Sequence, residues 1–165
     1  MAILQKAVAA FACLAMTSPA MANPIAYPAL GAPVNVTGRV SFSVLGLVNV
    51  ACDITMRGEV TSVGTSTVPG VVTFYSGTAT DLPGKSDCNS ATGTVSYPII
   101  ARTTSKFAVT IDRLELNTPI GTCAKNNVVV SWNNSLSNGA FSTTAGICTS
   151  VIGTLQTVSN PIIIG

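Results

Sequence analysis

"GTCAKNNVVVSWNNSLSNGAFSTTAGICTS" (residues 121–150) is the stretch on which the reading of this chain turns. Val128, Val130 and Trp132 fall on one side of a two-residue period, with Val129 and Ser131 on the other. Such alternation marks a strand with one apolar face. Asn133-Asn134 and Ser137-Asn138-Gly139 are turn chemistry. The stretch therefore reads as strand, turn, strand, with Cys148 closing back to Cys123. Trp132, the single Trp of the chain, is read as a packing anchor in the core or at its rim. A lone Trp in an alternating strand usually packs. Its alternative role is to stack on a ligand.

The same period recurs on both sides. In "VNVTGRVSFSV" (34–44), Val34, Val36, Gly38, Val40, Phe42 and Val44 oppose a polar set. "LVNVACDITM" (47–56) follows Leu45-Gly46, and "RGEVTSV" (57–63) continues it through a bulge at Gly58. Pro69-Gly70 interrupts "TVPGVVTFY" (67–75), and "DLPGKSDCNSATG" (81–93) is loop-like. "KFAVTIDRLEL" (106–116) sets Phe107, Val109 and Ile111 against Ala108, Thr110 and Asp112. About eight to ten short strands with frequent turn residues predict an all-β, single-domain β-sandwich or Greek-key barrel.

The ends differ from this pattern. Residues 1–22 carry Lys6, an apolar run from Ala7 to Met16, and the small-x-small site Ala20-Met21-Ala22. They read as a secretory signal peptide, too short in its apolar run to span a bilayer. The expected address is the extracellular space or cell surface, reached through the periplasm. Residues 23–33 form an apolar arm with Pro24, Pro28 and Pro33, and residues 34–165 form the β domain. Proline lacks the N–H a central strand needs. Ile25, Tyr27 and Leu30 nevertheless make the arm too apolar to float free. It closes its own fold, or it adds a strand to a neighbouring copy. On the second expectation, deleting Asn23 to Gly31 leaves a folded monomer.

The exported chain keeps Cys52, Cys88, Cys123 and Cys148. An even number outside the cytoplasm implies two disulfides in one of three pairings. The local pairs Cys52–Cys88 and Cys123–Cys148 are favoured, each adding roughly 3–4 kcal/mol. With no His and no C-x-x-C, no metal site is expected. No cofactor is expected either.

Charge excludes several partners. Without Lys6 the chain has seven basic and six acidic side chains, and no basic stripe suits nucleic acid. Low charge also leaves little repulsion between copies. The lack of His removes Ser-His-Asp and Cys-His catalysis. Ser105 and Lys106 are adjacent, and Asp112 and Glu115 are three apart, so strand geometry sets each pair on opposite faces. "DLPGKSD" (81–87) is too poor in acids for a calcium loop. No catalytic residues are assigned, and the chain is not read as an enzyme.

The Cys123…"VVVSWNNSLSNGAFS"…Cys148 block, with Cys52-"DITMRGEV" and Cys88 before it, resembles the PraB-type small exported proteins of Gram-negative bacteria, the alkane-oxidation activator family. The resemblance implies a secreted, surface- or biofilm-associated protein that aids growth on hydrocarbon. Two functions are carried forward. The first is an extracellular structural or adhesive protein, a filament subunit assembling by N-terminal strand donation. The second is a secreted accessory binding hydrophobic small molecules such as alkanes. Expected partners are further copies of the chain, or hydrophobic surfaces and alkanes, with no transmembrane segment.

Overall fold

Long runs of Val, Thr and Ser, broken by Gly, Asn and Pro, build strands joined by tight turns. The computed structural model describes residues 23–82, 94–118 and 121–165. The strands are β1 (Ile25–Tyr27), β2 (Pro33–Val44), β3 (Val48–Ser62), β4 (Val71–Asp81), β5 (Thr94–Val95) and β6 (Ile99–Ser105). They continue with β7 (Ala108–Thr118), β8 (Gly121–Asn133), β9 (Asn138–Ala145), β10 (Cys148–Ser159) and β11 (Ile163–Ile164).

Eight of them close a barrel in the order β7-β6-β4-β3-β2-β10-β9-β8, with β8 returning to β7. Every pairing is antiparallel, and each barrel strand lies beside its neighbour in the chain. The first strand of the meander, β2, pairs with the last, β10. This is an up-and-down barrel, which corrects the sandwich and Greek-key expectations. Period-two patterning reports that a strand has an inner and an outer face. It does not report which strand lies beside which.

Short turns enforce the meander. Leu45 and Gly46 take φ of 51° and 71°, and Leu47 N–H donates to Val44 O at 2.9 Å. Positive φ at both central residues matches the twist of a two-stranded hairpin. The expected bulge at Gly58 is present as a register shift between Arg57 and Gly58 against β4. The expected inner face of β2 is buried at Val34, Val36, Val40, Phe42 and Val44.

Two expectations on β7 need correction. Phe107 sits in the β6–β7 turn and is 67% exposed. Along β7, Ile111, Leu114 and Leu116 are all buried, so the alternation skips one residue at Asp112. On the facing strand Asn127 has φ 54°, and burial skips there too, between Cys123 and Val128. Asp112 and Glu115 consequently share the outer surface. Asp112 pairs with Arg102 at 2.8 Å and Glu115 with Arg113 at 2.6 Å.

The disulfide of the opening stretch is Cys123–Cys148, with Cα atoms 5.3 Å apart. Ladder pairs between β8 and β9 run from Ser131↔Ala140 to Asn133↔Asn138. Extending that register sets Cys123 opposite Cys148. The bond therefore fastens β8 to the β9–β10 hairpin at the opposite rim. Cys88, the partner expected for Cys52, lies outside the described residues, as do residues 1–22 and Asp87.

Candidate functional site

The barrel encloses an apolar cavity of about 510 Å³. An eight-stranded barrel is at the size where inward side chains either fill the interior or leave room for one small ligand. Here many inward residues are short. Val36, Val40, Val72, Ala79, Ala101 and Val130 line the space and do not reach across it. Phe42, Phe74, Trp132 and Phe141 line the rest. Among the described residues no charged side chain lines the cavity.

Its polar atoms are few and mostly occupied. Thr103 is buried, donates its hydroxyl to Asn23 O, and accepts from Gly70 N–H at 2.8 Å. Trp132 is 7% exposed, and its Nε1–H donates to Ile162 O at 3.1 Å. Both groups face the cavity with their hydrogen-bonding capacity already satisfied by backbone. Paired donors of this kind leave an apolar lining.

The arm and the C-terminus close one end of the barrel. β1 pairs with β11, Ile25 against Ile164. Ile25 N–H donates to Val63 O at 2.7 Å, and Gly165 N–H to Pro24 O at 2.9 Å. Pro28 and Ile164 are fully buried. Of the three arm residues expected to reach a neighbouring copy, Ile25 is 4% exposed and lines this chain's own cavity. Tyr27 and Leu30 are 45% and 65% exposed.

Asn134 completes this end, and its role was not legible in the sequence. Its Nδ2 donates to Ile164 O at 2.9 Å, while Ile164 N–H donates to its Oδ1 at 3.0 Å. One amide side chain thus pairs both backbone groups of a terminal residue, as a neighbouring strand would. Asn133 does what turn chemistry predicts, accepting from the N–H groups of Ser135 and Leu136. Nothing distinguishes the two Asn residues in the sequence except where the terminus lands.

The flank between β4 and β6 is built differently. Their ladder runs only from Val71↔Arg102 to Phe74↔Ile99, while β4 continues to Asp81. Tyr97 packs there against Gly77, and both line the cavity. A Cβ on Gly77 would lie 2.1 Å from the Tyr97 hydroxyl oxygen and 2.5 Å from Thr55 O. Glycine is what permits this approach. Tyr97 is half-buried, and burial pushes its phenol above the ordinary value.

An apolar, ligand-sized cavity in a closed barrel gives the family match its context. The family described as alkane oxidation protein activator PraA/PraB-like matches residues 1–163. The chain belongs to that family. Comparison with curated proteins and with solved structures gives no match. The family description is of an activator of alkane oxidation. Among the described residues no group of His, Cys, Asp or Glu is arranged to hold a metal ion, and no helix is long and apolar enough to cross a membrane.

Proposed function

We propose that this activator-family protein is an exported accessory that takes up a neutral aliphatic molecule, such as an alkane, into the barrel. The observation that carries the reading is the cavity of about 510 Å³, which no charged side chain lines among the described residues. Pockets for small molecules commonly measure about 300–1,000 Å³, and dry apolar cavities accept apolar guests. The family description, an activator of alkane oxidation, points to the same ligand class. On this reading residues 1–22 direct export, Cys52–Cys88 is the second disulfide, and the protein works at or outside the cell surface where hydrocarbon is met.

The cavity chemistry selects among aliphatics. Each buried methylene contributes about 0.8 kcal/mol, close to fourfold in affinity, until the space is full. A carboxylate carried into the same space meets no cation among the described residues and loses its hydration. Alkanes are therefore preferred over fatty-acid anions of equal length. The self-assembly reading retains Tyr27 and Leu30 as its exposed residues. Its third residue, Ile25, is already used within the chain, and the cavity reading needs no second copy.

Trp132 supplies the test, because it is the single Trp and lines the cavity. Titration with a bromoalkane should quench its fluorescence saturably at one equivalent, and unbrominated alkane should restore it. Ala101→Phe, which places a ring in the cavity, should abolish the quenching. Linear, unsaturable quenching that Ala101→Phe leaves unchanged contradicts the proposal.

A further inference from the structure

The cavity must fill and empty through some part of its wall, and the two candidate routes differ in what has to break. Opening the end closed by β1 and β11 requires separating the Trp132–Ile162 and Asn134–Ile164 hydrogen bonds together with the one from Thr103 to Asn23 O. Opening the β4 flank beyond Phe74 breaks no β4–β6 ladder pair, since that ladder ends at Phe74↔Ile99. Among the described residues, the Tyr97 phenol sets its hydroxyl end against Gly77 of the wall there. Among the described residues the Tyr97 hydroxyl has no hydrogen-bond partner. Gly77, Thr78 and Ala79 on one side and Val95 and Tyr97 on the other all border the cavity, so a shift of this ring opens directly into it.

We infer that Tyr97, seated on Gly77, is the gate through which an aliphatic ligand enters and leaves the barrel. This rests on the cavity reading and adds a route to it. Gly77 leaves room for the Tyr97 hydroxyl to approach the wall, and Tyr97 is half-buried and lines the cavity. Rotation of one side chain then exchanges the closed wall for an opening between β4 and the segment leading into β6. Rotamer changes of this sort need no rupture of the barrel ladder, whereas the other end is held by backbone and side-chain hydrogen bonds. A gate of this kind governs how fast the ligand exchanges more than how tightly it is held.

Stopped-flow measurement of bromoalkane quenching at Trp132, followed by displacement with excess unbrominated alkane, reads both rates on the full exported chain. Tyr97→Ala should accelerate uptake and release together by about tenfold or more, within the range over which association rates vary in related complexes. The dissociation constant should move far less than either rate. Tyr97→Phe, which keeps the ring, should stay near wild type. Tyr97→Leu serves as the second shortened variant if the alanine form does not fold. Asn134→Ala, at the opposite end, should leave both rates unchanged. Saturable binding with rates indifferent to Tyr97→Ala and Tyr97→Leu overturns the gate and leaves the cavity reading standing. Acceleration by Asn134→Ala in place of the Tyr97 variants moves the route to the other end and also overturns it. Absence of saturable quenching in the unsubstituted protein removes the cavity reading, and the gate with it.

Discussion

Two parts of the barrel wall enclose the same cavity by different means. The end closed by the arm and the C-terminus is sewn shut: β1 on β11, Trp132 on Ile162, Asn134 on both backbone groups of Ile164. Among the described residues, the flank beyond Phe74 has no β4–β6 ladder pair and sets the Tyr97 phenol against Gly77. Satisfied buried hydrogen bonds are costly to break singly, because each leaves an orphaned partner. A packed ring whose hydroxyl has no hydrogen-bond partner among the described residues leaves none there. One region is thus built to resist opening and the other to permit it, although both present apolar atoms to the interior.

The largest effect should come from unpicking the sewn end. Trp132→Ala removes the ring and its bond to Ile162 and should cost about 3–5 kcal/mol, read by chemical denaturation. Deleting Asn23 to Gly31 removes buried Ile25 and Pro28 and leaves β11 without its partner. Burial of Ile25 alone is worth about 1.5–3 kcal/mol. An unchanged denaturation midpoint after that deletion breaks the comparison and restores the view of the arm as a segment free to join another copy.

Much of this architecture was legible in the sequence, and the parts that were not share a cause. Alternation identified the inner faces of β2 and β8, because a half-buried strand must segregate its side chains. The pairing of Cys123 with Cys148 followed from a hairpin that brings them into register. Whether the strands made a sandwich or a meander depends on which edges meet, and no single strand encodes that. The skip at Asp112 and Asn127 needs two strands to deviate together, so β7 read alone placed Phe107 inside and parted Asp112 from Glu115. The cavity itself was hidden for a similar reason. Val and Ala at inward positions look like ordinary core until the circumference of the barrel shows that they do not meet.

Smaller changes sharpen the contrast. Removing the rim staple with Cys123→Ser and Cys148→Ser together should cost roughly 3 kcal/mol in denaturant stability, without altering the route of ligand entry. Asn134→Ala should cost about 1–3 kcal/mol by stranding the Ile164 backbone groups, again seen in denaturation. The smallest effect belongs to the outer surface. Hydrogen bonds from Arg113, then Ser96, hold the Glu115 carboxyl below the usual carboxylate value. A lowered folded-state pKa gives stability that is present above the unfolded value and fades as pH falls through the folded one. Glu115→Gln should therefore flatten the acid limb of the stability profile slightly and leave neutral pH nearly untouched, since exposed ion pairs contribute little.

Whether the barrel holds a neutral aliphatic chain is the central question. Calorimetric titration of the protein with a short n-alkane, repeated at several temperatures, measures this directly. One saturable site per chain is expected, with a negative heat-capacity change from burial of apolar surface and weaker binding of the fatty-acid anion of equal length. Heats that never saturate, or equal binding of alkane and fatty-acid anion, contradict the apolar cavity as the place where this protein acts.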